Sequence, residues 1–245
     1  MQGFTLLRQS LRLIFGNLDQ SLRLSSPLLA VLIVALILYG PDYFLMEFDP
    51  ANPNSPPASS LIFQLLTMIA TLWVAVAWHR FVLLEEYPSG VVPTFHGGRI
   101  LAYFGYGVLL GLVVGLATVF VAILVGGALF WAPILAIAAV VVVAIAGSWA
   151  FYRLSPILPA CAIGNKIGMK EAWAATKPLS GSILGAMVVF VGTIFALALL
   201  GAFIGGLIPM LGGVLILAIN WLYILLGISF LTTLYGVAVE DRPID

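Results

Sequence analysis

Long apolar runs separated by short polar segments set the pattern of this chain. Six runs, roughly 27–45, 60–84, 101–125, 129–152, 182–207 and 212–238, approach or exceed the length of about 20 residues at which a helix crosses the bilayer core. Pro41 ends or kinks the first of them. Only "GGALFWAP" divides the third run from the fourth, and only "IPMLGG" the fifth from the sixth, so these pairs are expected as antiparallel hairpins. Ahead of the first run the period changes. Phe4, Leu7, Leu11, Ile14, Phe15, Leu18 and Leu22 fall on one helical stripe, beside a face holding Arg8, Arg12, Asp19 and Arg23. The pattern predicts an all-α, polytopic membrane protein. Residues 1–26 form an amphipathic interfacial helix, 27–238 a single six-helix transmembrane domain, and 239–245 a short tail.

Composition agrees with that pattern. Charged residues make up 8% of the chain and its mean hydropathy is +1.17, whereas soluble domains carry roughly 25% charge. The net charge is zero and no Lys/Arg block is present, which argues against nucleic acid as a partner. A single cysteine, Cys161, excludes a disulfide framework and a CxxC pair.

The charges then orient the spans. With six crossings, every Lys and Arg falls on one side: Arg8, Arg12, Arg23, Arg80, Arg99, Arg153, Lys166, Lys170, Lys177 and Arg242. The long connection on the other side, "PDYFLMEFDPANPNSPPASS", has acids and no base. The positive-inside rule places both termini in the cytoplasm. No A-x-A-like site follows a short apolar core at the N-terminus, so no cleaved signal is expected.

A weak internal repeat accompanies this layout. Ala77-Trp78-His79-Arg80-Phe81 matches Ala150-Phe151-Tyr152-Arg153-Leu154 in pattern, and Glu85-Glu86-Tyr87-Pro88 resembles Glu240-Asp241-Arg242-Pro243. Polar-apolar segments at 3–24, 91–100 and 168–178 precede the odd spans. Three units are expected, each a surface helix followed by a hairpin.

Candidate chemistry is sparse. His79 and His96 are the only histidines; no HExxH, Ser-His-Asp spacing, phosphate loop or dinucleotide fingerprint occurs. No catalytic, metal or cofactor-binding residue is assigned, and no enzyme is expected. Arg8, Arg12, Arg23, Trp78, Arg80, Arg153 and Trp173 are expected to anchor the protein to lipid or to dock a partner, with anionic headgroups meeting the cations on the cytoplasmic side. Glu85 and Glu86 oppose the dipole of the helix they end and need cations, so a cytoplasmic salt-bridge ring of Glu85, Glu86 and Arg153 is expected. Gly107, Gly111 and Gly115, and Gly201 and Gly205, form small-residue stripes suited to helix packing, within the chain or against a second copy or partner. Asn220 is the best intramembrane polar contact, for another helix or for a substrate.

"AWHRFVLLEEYP" together with "YRLSPILPACAIGNKIGMKEAWAATK" resembles six-span inner-membrane proteins of alphaproteobacteria, near the YciC-like proteins and the membrane domain of some glycerophosphodiester phosphodiesterases. The resemblance implies a bacterial inner (cytoplasmic) membrane location; no phosphodiesterase domain is present, so it carries over no catalytic residue. The leading expectation is a non-catalytic accessory, scaffold or assembly subunit of a membrane complex. The alternatives are a transporter or channel for a neutral or amphipathic, lipid-like molecule, and an intramembrane enzyme using His79, Glu85 and Glu86.

Overall fold

A computed structural model describes residues 2–40 and 60–243, and every regular element among them is helical. The amphipathic N-terminal segment forms α1 (Gln2–Gly16) and α2 (Leu18–Leu24), broken at Asn17. Pro27 then opens α3 (Ser26–Tyr39), which turns 68° away from α2. The long apolar runs become α4 (Ser60–Leu84), α5 (Gly97–Ala128), α6 (Pro133–Leu154), α9 (Ser180–Leu207) and α10 (Pro209–Val239). Two short helices, α7 (Ile157–Ile163) and α8 (Met169–Ala175), lie between α6 and α9.

Among the described residues five helices are long and apolar enough to span a membrane, and the bent α2–α3 pair makes a sixth if it counts as one crossing. At about 1.5 Å per residue, α3 alone covers about 21 Å, short of a bilayer core of about 30 Å. Residues 41–45 of the expected first span, and the acidic connection up to residue 59, lie outside the described residues.

The hairpin turns are tighter than the glycine pattern implied. Gly126 and Gly127 stay inside α5, and Gly212 inside α10. The breaks fall where Pro133 and Pro209 occupy the first helical position, whose N–H is unbonded in any helix. Between α9 and α10 only Ile208 is non-helical.

Burial is uneven along the bundle. From Val74 to His79 every residue of α4 is buried, because α2, α3, α5, α7 and α10 all pack on that helix. α10 is buried at most positions from Trp221 to Gly236, and the run from Ser155 to Ala162 is buried throughout. α7 thereby plugs the end of the bundle that holds the described basic residues. Away from that end the packing thins, and no residue from 111 to 152 is buried.

Hydroxyl pairs sew the N-terminal segment onto α10. Ser10 Oγ lies 3.0 Å from Thr233 Oγ1, Ser229 Oγ donates to the Ser10 carbonyl at 3.0 Å, and Trp221 Nε1 donates to Ser25 Oγ at 2.7 Å. The last of these holds the α2–α3 bend in place. Such bonds average roughly 0.6 kcal/mol in membrane proteins, so their value is as much register as stability.

This packing splits the predicted stripe of α1. Gly3, Leu6, Leu7, Ser10 and Ile14 face α9 and α10, whereas Phe4 and Phe15 are exposed beside Arg8 and Arg12. No surface helix precedes α5, since residues 91–96 form a loop. In this respect the second unit of the expected repeat differs from the others.

Within the chain the glycine stripe of α5 makes no close packing contact. A Cβ at Gly111 or Gly115 would meet nothing within 4 Å, and one at Gly107 would only graze Leu158 at 4.0 Å. The close approach of α5 and α6 comes instead at Gly147, where a Cβ would overlap the Thr118 side chain. Gly201 and Gly205 do pack, against Ile219 and Gly212, and a Cβ on Gly212 would overlap the Gly205 backbone. In detergent, Gly147→Ala and Gly212→Ala should lower the thermal midpoint, with overpacking costs of about 1–3 kcal/mol. Gly111→Ala and Gly115→Ala should leave it unchanged or raise it, since Ala is the better helix former by about 1 kcal/mol. Similar losses in all four variants would contradict this assignment of the contacts.

Candidate functional site

Three side-chain clusters and two grooves carry the chemistry of the described residues. The first cluster closes the end of α4. Glu85 adopts a left-handed conformation (φ 55°), and the Glu86 N–H bonds back to the Arg80 carbonyl six residues earlier, at 3.3 Å, which closes the C-terminus of α4. That turn delivers the Glu86 carboxylate to Arg80 Nη2 at 2.5 Å and His96 Nε2 at 2.6 Å. Arg80 Nη1 also donates to the Ala162 carbonyl of α7 at 3.3 Å. Arg80 is therefore an internal brace between α4, the 85–96 loop and α7, rather than the expected lipid anchor. The exposed Glu85 carries no assigned ion pair.

Arg153 forms the second cluster. It is 4% exposed and sits between two indoles, 3.8 Å from the Trp173 ring centre and 5.2 Å from that of Trp149. Its guanidinium donates to the Trp173 carbonyl and, at 3.3 Å, to Thr176 Oγ1. The expected salt-bridge ring is thus not formed: Glu86 has local partners, and Arg153 is committed to α8. Trp173 is 39% exposed, consistent with a place at an interface. Trp78, expected in the aromatic belt, is fully buried instead, because the helices packed on α4 close over it. Arg8, Arg12 and Arg23 are exposed, and Arg23 pairs with Asp19 at 3.0 Å as its spacing predicted.

The third cluster is buried at the α4–α10 seam. Thr232 donates its hydroxyl hydrogen to the Ile228 carbonyl (2.9 Å), so its oxygen accepts from His79 Nδ1 at 2.8 Å. His79 Nε2 then accepts from the Tyr103 hydroxyl at 3.2 Å. A ring with one N–H, on Nδ1, completes this network. With both nitrogens engaged and the side chain fully buried, His79 has no face left for a substrate. Among the described residues no three His, Cys, Asp or Glu are grouped to hold a metal ion.

Asn220 does not bond to another helix. Its Nδ2 donates to the Ile216 carbonyl of its own helix at 3.1 Å.

Sequence reasoning missed the grooves that flank α6. One, of about 510 Å³, lies between α6 and α9 and reaches α10, with Ser148, Tyr152 and Tyr223 as its polar lining. Phe190, Ile194 and Ala198 are part of its apolar wall, and the Phe190 and Tyr223 rings stack at 5.6 Å. A second, of about 460 Å³, lies between α5 and α6 and shares Ser148 and Tyr152; Gly111 and Gly115 line it. The available signal was the hydroxyl pair Ser148 and Tyr152 at i,i+4 in an otherwise apolar run.

Comparisons with protein-family models, with curated proteins and with solved structures find no match for this chain. Its apolar helices identify an integral membrane protein by length and composition.

Burial pushes the Glu86 carboxyl up, but hydrogen bonds and charge from Arg80 and His96 outweigh that and hold it below its ordinary value of 4.5. A carboxyl lowered on folding adds stability above its unfolded value and loses it as pH falls through the folded one. The stability gap between wild type and Glu86→Gln should be full above about pH 5 and close on further acidification. Limited proteolysis of the 85–96 loop and the thermal midpoint in detergent both read it. A gap that does not change with pH would mean the carboxylate charge plays no part.

Proposed function

We propose that this protein is a non-catalytic accessory or assembly subunit of a membrane complex, and that its α5–α6 hairpin is the arm that meets the rest of the complex. One observation carries the reading: no residue from 111 to 152 is buried within the chain. The hairpin is held only at its base, where Ile100, Tyr103 and Leu110 of α5 and Arg153 of α6 are buried. Gly111 and Gly115 on its open side allow a foreign helix to approach closely, the condition for association where water supplies no driving force.

Six spans with both termini in the cytoplasm remain the favoured topology, the α2–α3 pair providing the sixth crossing. Ten bases and six acids lie among the described residues, and Arg80, Arg99, Arg153, Lys177 and Arg242 all flank helix ends on the side of the plug. That imbalance supports placing this end at the anionic cytoplasmic surface. Left-handed residues after α4, α7 and α10 (Glu85, Gly164 and Asp241) lend support to the three-unit repeat. The resemblance of the 77–88 and 152–177 segments is the ground for a bacterial inner membrane.

Transport through the bundle is the weaker reading. The buried hydroxyls and His79 are paired with one another, and Asn220 is spent on its own helix, which leaves few groups to line a polar route.

Extraction of tagged protein in mild detergent, followed by mass spectrometry, tests the role. A membrane protein or second copy at fixed stoichiometry is expected, and Gly115→Leu or Leu116→Trp on the hairpin should release it. A monomer that carries only lipid, unaffected by either variant, would overturn the subunit reading.

A further inference from the structure

We propose that the groove between α6 and α9 is a binding site for one anionic phospholipid of the leaflet at the plugged end, with an acyl chain lying along α9. This inference rests on the protein being embedded in a membrane and not on its acting as a subunit. The groove is open to the side, between two of the least buried helices of the chain, so what reaches it in a bilayer is lipid. Along α9 its wall runs from Met187 to Ala198, about 16 Å at 1.5 Å per residue. That wall is apolar throughout. Polar side chains come only from Ser148 and Tyr152 on α6 and Tyr223 on α10, few and convergent, as in a site that orients an amphipathic molecule.

The polarity of the groove has a direction. α6 and α9 are joined near the plugged end, where Trp149 Nε1 donates to the Ser180 carbonyl at 2.9 Å. Ser148 and Tyr152 flank that contact in sequence. Lys177 is exposed in the turn that leads into Ser180, and Lys170 is exposed on α8. Glu171, the acid of α8, turns its carboxylate to the Gly168 N–H at 2.8 Å, so it does not neutralise those lysines by an ion pair. The order from plugged end to open end is therefore cation, hydroxyl, apolar wall. An anionic phospholipid has the same order: phosphate, ester carbonyl, acyl chain. A hydroxyl donor at Tyr152 or Tyr223 suits the ester oxygen, and lysine suits the phosphate.

Photolabelling in reconstituted vesicles tests this. The full chain is placed in phosphatidylcholine vesicles with a minor fraction of phosphatidylglycerol bearing a diazirine on one acyl chain; a matched phosphatidylcholine probe serves as comparison. Labelling by the phosphatidylglycerol probe should concentrate in the peptide holding Met187–Ala198, above the equally exposed faces of α5 and α6. Ala198→Trp, at an exposed position that fills the groove, should abolish the excess, and Tyr223→Phe, which keeps the ring, should reduce it. Val142→Trp, on an exposed face outside the groove, should leave it unchanged. Lys177→Ala should bring the two probes level. Labelling spread evenly over all exposed helices, or an excess that survives Ala198→Trp and Tyr223→Phe, would overturn the site and mean annular lipid only. Equal labelling by both probes in the wild type would overturn its anionic part. None of these outcomes depends on whether a partner protein co-purifies.

Discussion

The seam between α4 and α10 is the contact on which the remaining packing depends. It joins a run of six fully buried residues on α4 to the most buried stretch of α10, and His79 crosses it to reach Thr232 and Tyr103. In a bilayer, apolar side chains gain little by leaving lipid for protein, so close packing and satisfied polar groups decide which helices associate. A histidine with both ring nitrogens bonded fixes the register of three helices at once. Around this seam the N-terminal segment attaches through serine and threonine hydroxyls, and α7 fills the end. Arg242 completes the closure by donating to the carbonyls of Val82 and Leu83, the last turn of α4, where a cation also complements the helix dipole.

A bundle held this way is asymmetric. The plugged end is braced by Arg80, Arg153 and Arg242, each reaching from one element to a backbone carbonyl of another. Toward the opposite end the α5–α6 hairpin and much of α9 lose contact with the core. Function that depended on the interior would need groups there that are free to act, whereas the buried hydroxyls and His79 are bonded to one another or to backbone carbonyls, and the Trp78 indole N–H is the unpartnered donor of the α4 core. The surfaces left for action are lateral: the hairpin and the grooves beside α6.

How legible this was in the sequence depends on the scale. Apolar runs long enough to span were visible, and five of the six ranges agree with helices to within four residues at each end. The side on which a residue points was less visible. Trp78, Arg80 and Arg153 occupy helix-end positions where an interfacial anchor and a buried brace have the same local pattern. What separates them is whether another part of the chain covers that end, and "ILPACAI", the covering helix, reads as an extension of the span before it. The glycines make the same point. Spacing in α5 marked Gly111 and Gly115, yet contact requires a facing helix, and the residue that meets one is the isolated Gly147 opposite Thr118. A better signal was the "SFLTT" segment of α10, three hydroxyls within five residues of an apolar helix. In lipid each such group needs a partner, and this is the face on which Ser10 and His79 arrive.

The N-terminal helix shows why amphipathicity alone does not settle a role. A stripe broad enough to lie in an interface was read as one face, but α1 uses its small and aliphatic residues, Gly3, Leu6, Leu7 and Ile14, to pack on α9 and α10. Gly3 is decisive: a Cβ there would lie 2.5 Å from the Ser182 carbonyl oxygen and 2.9 Å from the Ala186 nitrogen. The helix is therefore part of the fold, and the exposed Phe4 and Phe15, set among arginines, are what remains for lipid. Because the same helix grips the first turns of α9, it also fixes one wall of the groove beside α6. The wall on the other side belongs to the hairpin, which is tied to its neighbours near its base, where Trp149 donates to the Ser180 carbonyl and Arg153 to the Trp173 carbonyl. The hairpin and the groove therefore share one helix, since α6 supplies both a face of the hairpin and polar lining of the groove.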